Sequence, residues 1–153
     1  MAQYHLAIEQ ANQQYIQFKV VFENVAPNSI IHLPKWRPGR YELGNFAKNV
    51  RGFKVFDMNG KVVSFHKTDL SSWKIDVEET TTIRVEYSYY AAELNAGSTY
   101  LTKEMLYSNP VNCFVYQDGK KDEACEVFLN IPANWNIACS MEREGNTLRA
   151  ANF

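Results

Sequence analysis

Thr82-Ile83-Arg84-Val85-Glu86-Tyr87-Ser88-Tyr89 places an apolar side chain at every second position, with Ile83, Val85, Tyr87 and Tyr89 alternating against Thr82, Arg84, Glu86 and Ser88. Successive side chains of an extended chain point to opposite faces, so a period of two marks a strand with one face in a core and the other in water. The pattern recurs on both sides of this run. Upstream, Ile16, Phe18, Val20 and Phe22 oppose Gln17, Lys19 and Glu23, and Trp73, Ile75 and Val77 oppose Ser72, Lys74, Asp76 and Glu78. Downstream, Cys125, Val127, Leu129 and Ile131 alternate until Pro132, which has no N–H to give a ladder.

Turn chemistry separates the runs. Asn59-Gly60 lies between Lys54-Val55-Phe56 and Val62-Val63-Ser64-Phe65 and predicts a hairpin closed by a type I′ turn, because both residues accept positive φ. Asp118-Gly119 and Gly145-Asn146 read as further turns. No strand alternates with a long helical pattern, which disfavours βαβ units and a parallel sheet. The expectation is an all-β fold, an antiparallel β-sandwich with one short helix over residues 41–50, after the Trp-x-Pro-Gly corner and before Gly52. With 153 residues and no linker, repeat or low-complexity segment, residues 1–153 read as a single domain. The run from Asn146 to Phe153 looks like a strand in progress, which predicts that the domain is a fragment of a longer polypeptide.

Composition narrows the function classes. Sixteen basic and seventeen acidic residues give a formal charge of −1, without the one-sided field that recruits nucleic acid or anionic membranes. No apolar run approaches the roughly 20 residues of a membrane-spanning helix, and Met1-Ala2-Gln3-Tyr4-His5 carries no export signal. A cytoplasmic location is favoured, with the periplasm as the alternative if a signal has been trimmed. Aromatic residues, 14% of the chain, suit a pleated surface. Cys113, Cys125 and Cys139 are odd in number and widely spaced, which fits buried free thiols better than a disulfide framework or a metal knuckle.

The usual chemical signatures are missing. A His-Glu-x-x-His zinc motif needs two imidazoles one helical turn apart, whereas His5, His32 and His66 stand far apart in strand-like segments. No nucleophile elbow, phosphate loop or dinucleotide fingerprint occurs, and Cys113 and Cys125 sit among core residues rather than beside a histidine. Tyr89-Tyr90, Tyr100 and Tyr107 could form a platform for peptide or sugar, although ordinary boundary packing accounts for them as well. The least generic stretch is Leu33-Pro34-Lys35-Trp36-Arg37-Pro38-Gly39-Arg40-Tyr41. Its prolines fix φ and forbid a regular ladder while Gly39 permits a reversal, so it reads as a rigid corner with Trp36 as its plug, or as a corner that positions a docking surface.

Leu33-Pro34-x-Trp36-x-Pro38-Gly39-x-Tyr41 followed by Phe46-Ala47-x-Asn49-Val50 resembles the signature of the N-terminal domain in the PDZ-containing glycyl-aminopeptidase family of gluzincin metallopeptidases. The Asn59-Gly60 hairpin, Asp69-x-x-x-Trp73, Val85-x-Tyr87 and Leu129-x-Ile131-Pro132-x-x-Trp135 agree with it in order. The resemblance marks Pro34, Trp36, Pro38, Gly39 and Tyr41 as structural signature residues. It implies a parent zinc aminopeptidase whose metal site lies in a separate catalytic domain, so that this chain carries no catalytic residue, metal ligand or cofactor and is not an enzyme alone. The implied partners are that catalytic domain and the parent's peptide substrate, with neither nucleic acid nor membrane among them. Leu106-Tyr107-Ser108-Asn109 resembles the family's Phe-Phe-Asn-Gly element, which makes Tyr107 and Asn109 candidates for a place near the substrate amine; Pro110 stands where the family often has glycine, and a plain Asn-Pro turn explains the stretch equally.

The leading expectation is thus a non-catalytic domain that packs on the catalytic domain, helps shape its cleft for peptide N-termini, and exposes an apolar patch when isolated. The alternative is a free-standing peptide- or glycan-binding β-sandwich. An autonomous hydrolase comes third, since no nucleophile with a base can be named.

Overall fold

The alternating runs are strands in the computed structural model, which describes residues 1–40 and 42–153. In chain order they are β1 (Ala2–Gln10), β2 (Tyr15–Val25), β3 (Ile30–His32), β4 (Val50–Asp57), β5 (Phe65–Asp69), β6 (Ser72–Ile75) and β7 (Thr81–Tyr90). There follow β8 (Tyr100–Leu101), β9 (Leu106–Tyr107), a helical turn α1 (Pro110–Cys113), β10 (Tyr116–Gln117), β11 (Cys125–Asn130), β12 (Glu142–Glu144) and β13 (Thr147–Ala150). A seven-stranded sheet runs β12-β13-β11-β1-β2-β7-β4, a four-stranded sheet runs β10-β3-β6-β5, and β8 pairs with β9.

The strand β7 shows why the sheets stack. Ile83, Val85, Tyr87 and Tyr89 are each 3% exposed or less, and the buried residues of β2 lie beside them in register, Val20 opposite Val85 and Phe18 opposite Tyr87. Burying a side chain of this size contributes about 1.5–3 kcal/mol, so two such rows define the inner face. Phe53 of β4 stacks on Trp73 of β6 with ring centroids 4.2 Å apart, which joins the large sheet to the small one. The mostly-β sandwich read from the sequence is the observed fold.

Four local features differ from the sequence reading. One pairing in the large sheet, β1 with β11, is parallel, because the chain returns to that edge only after building the rest of the sandwich. The Asn59-Gly60 hairpin uses a three-residue loop: the Gly60 N–H donates to Asp57 O at 3.1 Å, Gly60 alone takes positive φ, and the Asp57 carboxylate accepts from the N–H groups of Asn59 and Lys61. That side-chain cap selects a turn with a bulge in place of type I′. Beyond Val63 the chain leaves β4 and crosses to the other sheet as β5.

The helix expected over residues 41–50 is a single 3-10 turn, Phe46–Asn49, with no side-chain cap at Asn45. Gly52 sits within β4, at a register shift with φ of 63°, so it bends a strand instead of ending a helix. Lastly, all three cysteines are free, with Cys113 and Cys125 buried as expected, whereas Cys139 is exposed.

Candidate functional site

The signature corner is built around a Pro-Gly turn. The Arg40 N–H donates to Arg37 O at 3.4 Å, closing Arg37-Pro38-Gly39-Arg40 with Pro38 second and Gly39, at φ 81°, third. Proline supplies the φ of the second position and glycine tolerates the left-handed third, as a type II turn demands. Pro34 precedes a brace in which Lys35 Nζ meets Asp69 Oδ2 at 2.7 Å and Lys35 O accepts from the Gly44 N–H at 2.8 Å. Leu33, 1% exposed, is the corner's buried residue; Trp36 is 49% exposed and plugs nothing. Tyr41, the last signature residue, lies outside the described residues.

The corner forms one wall of a polar cleft of about 560 Å³, lined also by the loop around Asn95–Thr99, by Asn49 and Tyr89, and by Asn112. The loop is tethered at several points. Asn95 Oδ1 accepts from the Gly97 N–H at 2.9 Å, the Asn112 amide donates to Gly97 O at 2.7 Å, and the Tyr107 hydroxyl donates to Ala96 O at 3.4 Å. Across the cleft the Asn49 amide donates to the Tyr89 hydroxyl at 3.2 Å, and burial pushes the Tyr89 hydroxyl pKa well up.

The candidates Tyr107 and Asn109 stand next to this cleft without lining it. Tyr107 is 40% exposed, and Asn109 is held through its backbone: its N–H donates to Thr99 Oγ1 at 3.3 Å and its carbonyl accepts from the Asn112 N–H at 3.0 Å. The Asn109 side chain does not cap α1, and Pro110 occupies the first helical position. Sequence reading missed Arg37, Gly97 and Asn112. The turn-forming run Asn95-Ala96-Gly97-Ser98 was the available signal for the loop, but not for its neighbours.

A second concavity, about 520 Å³, opens on the large sheet. Register explains it: Tyr4 of β1 lies opposite Val127 of β11, which lies opposite Leu148 of β13, and Leu6 lies opposite Leu129. The apolar row that is core under β1 continues across β11 and β13, where Leu129 and Ile131 are half-buried. Trp135, Ile137 and Met141 line the opposite side, and no charged residue appears among the described lining residues.

The three histidines are dispersed. His5 stacks on Phe128 with centroids 4.7 Å apart, His32 Nδ1 is 2.7 Å from Ser72 Oγ, and His66 Nδ1 is 3.4 Å from Asp76. Among the described residues no group of three or more His, Cys, Asp or Glu side chains could hold a metal ion, so a catalytic zinc does not fit this chain's residues. The Cys113 thiol is pushed up to about 12 by burial, which leaves it un-ionised and unreactive at neutral pH.

The profile of the peptidase M61 N-terminal domain family matches residues 3–153. The chain superposes on an aminopeptidase N family protein from Idiomarina loihiensis with a TM-score of 0.93 at 23% identity, covering 99% of this chain and 27% of that one. It also aligns with an M1 zinc metallopeptidase from Deinococcus radiodurans bound to a Tyr-Ser-Ala substrate, with a TM-score of 0.47 at 15% identity, covering 97% of this chain and 37% of that one. The first likeness is one of fold, and the second is too loose to bear on function. No curated protein matches the chain.

Proposed function

The chain belongs to the peptidase M61 N-terminal domain family, and from that premise we propose that it is the non-catalytic β domain of a zinc aminopeptidase of the PDZ-containing glycyl type. It packs on the catalytic domain of the same polypeptide and helps shape the cleft that receives peptide N-termini. Zinc and the general base belong to that catalytic domain. Tyr107 and Asn109, on the segment next to the polar cleft, are the residues that approach the substrate amine.

The observation that supports this reading is the apolar groove over β11 and β13. A folded domain in water does not ordinarily leave a core row such as Val127, Leu129 and Leu148 running into an open concavity with no charged residue among the described lining residues. A neighbour that covers it removes that surface from water at about 25 cal/mol per Å², which is how interdomain faces are stabilised. Membership in a peptidase N-terminal domain family supports the reading that this cover is the catalytic domain of the same polypeptide.

The test is kinetic. The purified chain, supplied with zinc and a glycyl chromogenic substrate, is expected to give no turnover above buffer, whereas the whole peptidase turns the substrate over. Zinc-dependent cleavage by the chain itself, lost on replacement of His5, His32 or His66, would refute the proposal.

A further inference from the structure

The signature corner presents one guanidinium without a counter-ion. Arg37 is half-buried in the wall of the polar cleft, and among the described residues its side chain has neither a salt bridge nor a hydrogen bond. The other cations there are taken: Arg40 pairs with Glu42, and Lys48 lies 3.8 Å from Glu93. The position of Arg37 is specific. A Cβ at Gly97 would overlap its guanidinium, so the group lies directly against the Gly97 backbone and would have to shift for any other residue there. Asn112 provides a second, separate observation. It is 1% exposed at the same cleft, its amide is spent on Gly97 O at 2.7 Å, and its Oδ1 has no partner among the described residues. A buried acceptor left unpaired is costly, and so is a partly desolvated cation.

We infer that this cleft is a binding site for the carboxylate of a short peptide. Arg37 takes the carboxylate in a two-pronged N–H···O contact, and Asn112 Oδ1 accepts a neighbouring peptide N–H. A volume of about 560 Å³ is in the range of small-ligand sites. Glu42 and Glu93 on the rim work against a doubly charged phosphate and leave a singly charged carboxylate as the matching anion. The identity of the peptide rests on the function proposed above: the carboxylate is that of the far end of a peptide whose amine lies in the catalytic cleft, so the site favours short substrates.

The experiment follows the Gly97 amide and the Arg37 Nε–H by NMR in the isotope-labelled chain. Acetyl-glycyl-glycine, its C-terminal amide and inorganic phosphate are titrated in turn. The acid is expected to give saturable shifts at both groups, with the amide and phosphate weaker by about tenfold or more. Arg37→Ala and Arg37→Lys are each expected to weaken the acid by at least about tenfold while the rest of the spectrum stays native. Gly97→Ala, which displaces the guanidinium without removing it, gives the same loss and guards against a variant that fails to fold. Equal binding of acid and amide, tighter binding of phosphate, undiminished binding by a folded Arg37→Ala chain, or no shift at millimolar peptide would each overturn the inference. The titrations need no catalytic domain, so their failure leaves docking through the apolar groove untouched, and failure of docking leaves them unchanged.

Discussion

The Tyr87 hydroxyl donates to the carbonyl of Cys113 at 2.6 Å, linking β7 of the large sheet to the end of α1. Two residues on, Val115 O accepts from the Tyr4 hydroxyl at 2.8 Å. These bonds pin the end of α1 and the residues after it, and α1 in turn holds Asn112 in the wall of the cleft, with Asn109 just before its first residue. Both phenols are buried, and burial pushes both pKa values well up, so they stay protonated donors.

Replacing Tyr87 by Phe removes the donor and leaves a buried carbonyl unpaired. The expected loss is about 1–3 kcal/mol of unfolding free energy, read from urea denaturation. Faster hydrogen exchange at residues 112–115, with the strand amides of β2 unchanged, would accompany it. A variant as stable as the parent would show that Cys113 O finds another donor.

The Lys35–Asp69 brace makes the corner acid-sensitive. The hydrogen bond from Lys35, with help from the Ser71 N–H, holds the Asp69 carboxyl far below its ordinary value of 3.8. The folded chain therefore binds this proton less readily than the unfolded chain, so the contribution is present above 3.8 and is lost as pH falls below it. Asp69 is largely solvent-exposed, so Asp69→Asn should cost only about 0.5–1 kcal/mol near neutrality. The gap to the wild type should close in acid, as measured by thermal unfolding across pH. A gap that widened in acid would contradict the assignment.

Thiol chemistry reports on burial. Cys139 is exposed, whereas Cys113 is sealed with its pKa near 12 and Cys125 is raised by burial as well. Iodoacetamide at mildly alkaline pH should alkylate Cys139 and spare the other two until denaturant is added, as peptide mass mapping would show. Uniform alkylation of the native chain would mean that both the α1 segment at Cys113 and the start of β11 at Cys125 open readily.

Much of the sandwich was legible because its inner faces follow a period of two: Ile83 to Tyr89 and Ile16 to Phe22 are buried at every second residue. What local pattern does not carry is pairing across distance. The parallel contact of Leu6 with Leu129 joins residues more than a hundred positions apart, and the approach of Arg37 to Gly97 joins two loops. Alternation at Leu129 and Ile131 marks them as apolar-face residues but does not say that their row runs into an open groove. Trp36 is a related case, since a large aromatic in a proline-rich corner reads as a plug when only the fold shows that it is exposed. Tyr107 and Asn109 came from resemblance, and their place beside the cleft follows from tethers to Ala96 and Thr99 that no spacing rule anticipates.

Side-chain footprinting reads directly whether the apolar groove is covered. Trp135 and Met141 line the apolar groove and are only half-buried in this chain, so hydroxyl radicals should oxidise both readily. In the intact peptidase both should be oxidised severalfold more slowly, while Met58, 59% exposed and outside the groove lining, reacts as before. Equal oxidation of Trp135 and Met141 in the chain and in the whole peptidase would contradict a covered groove.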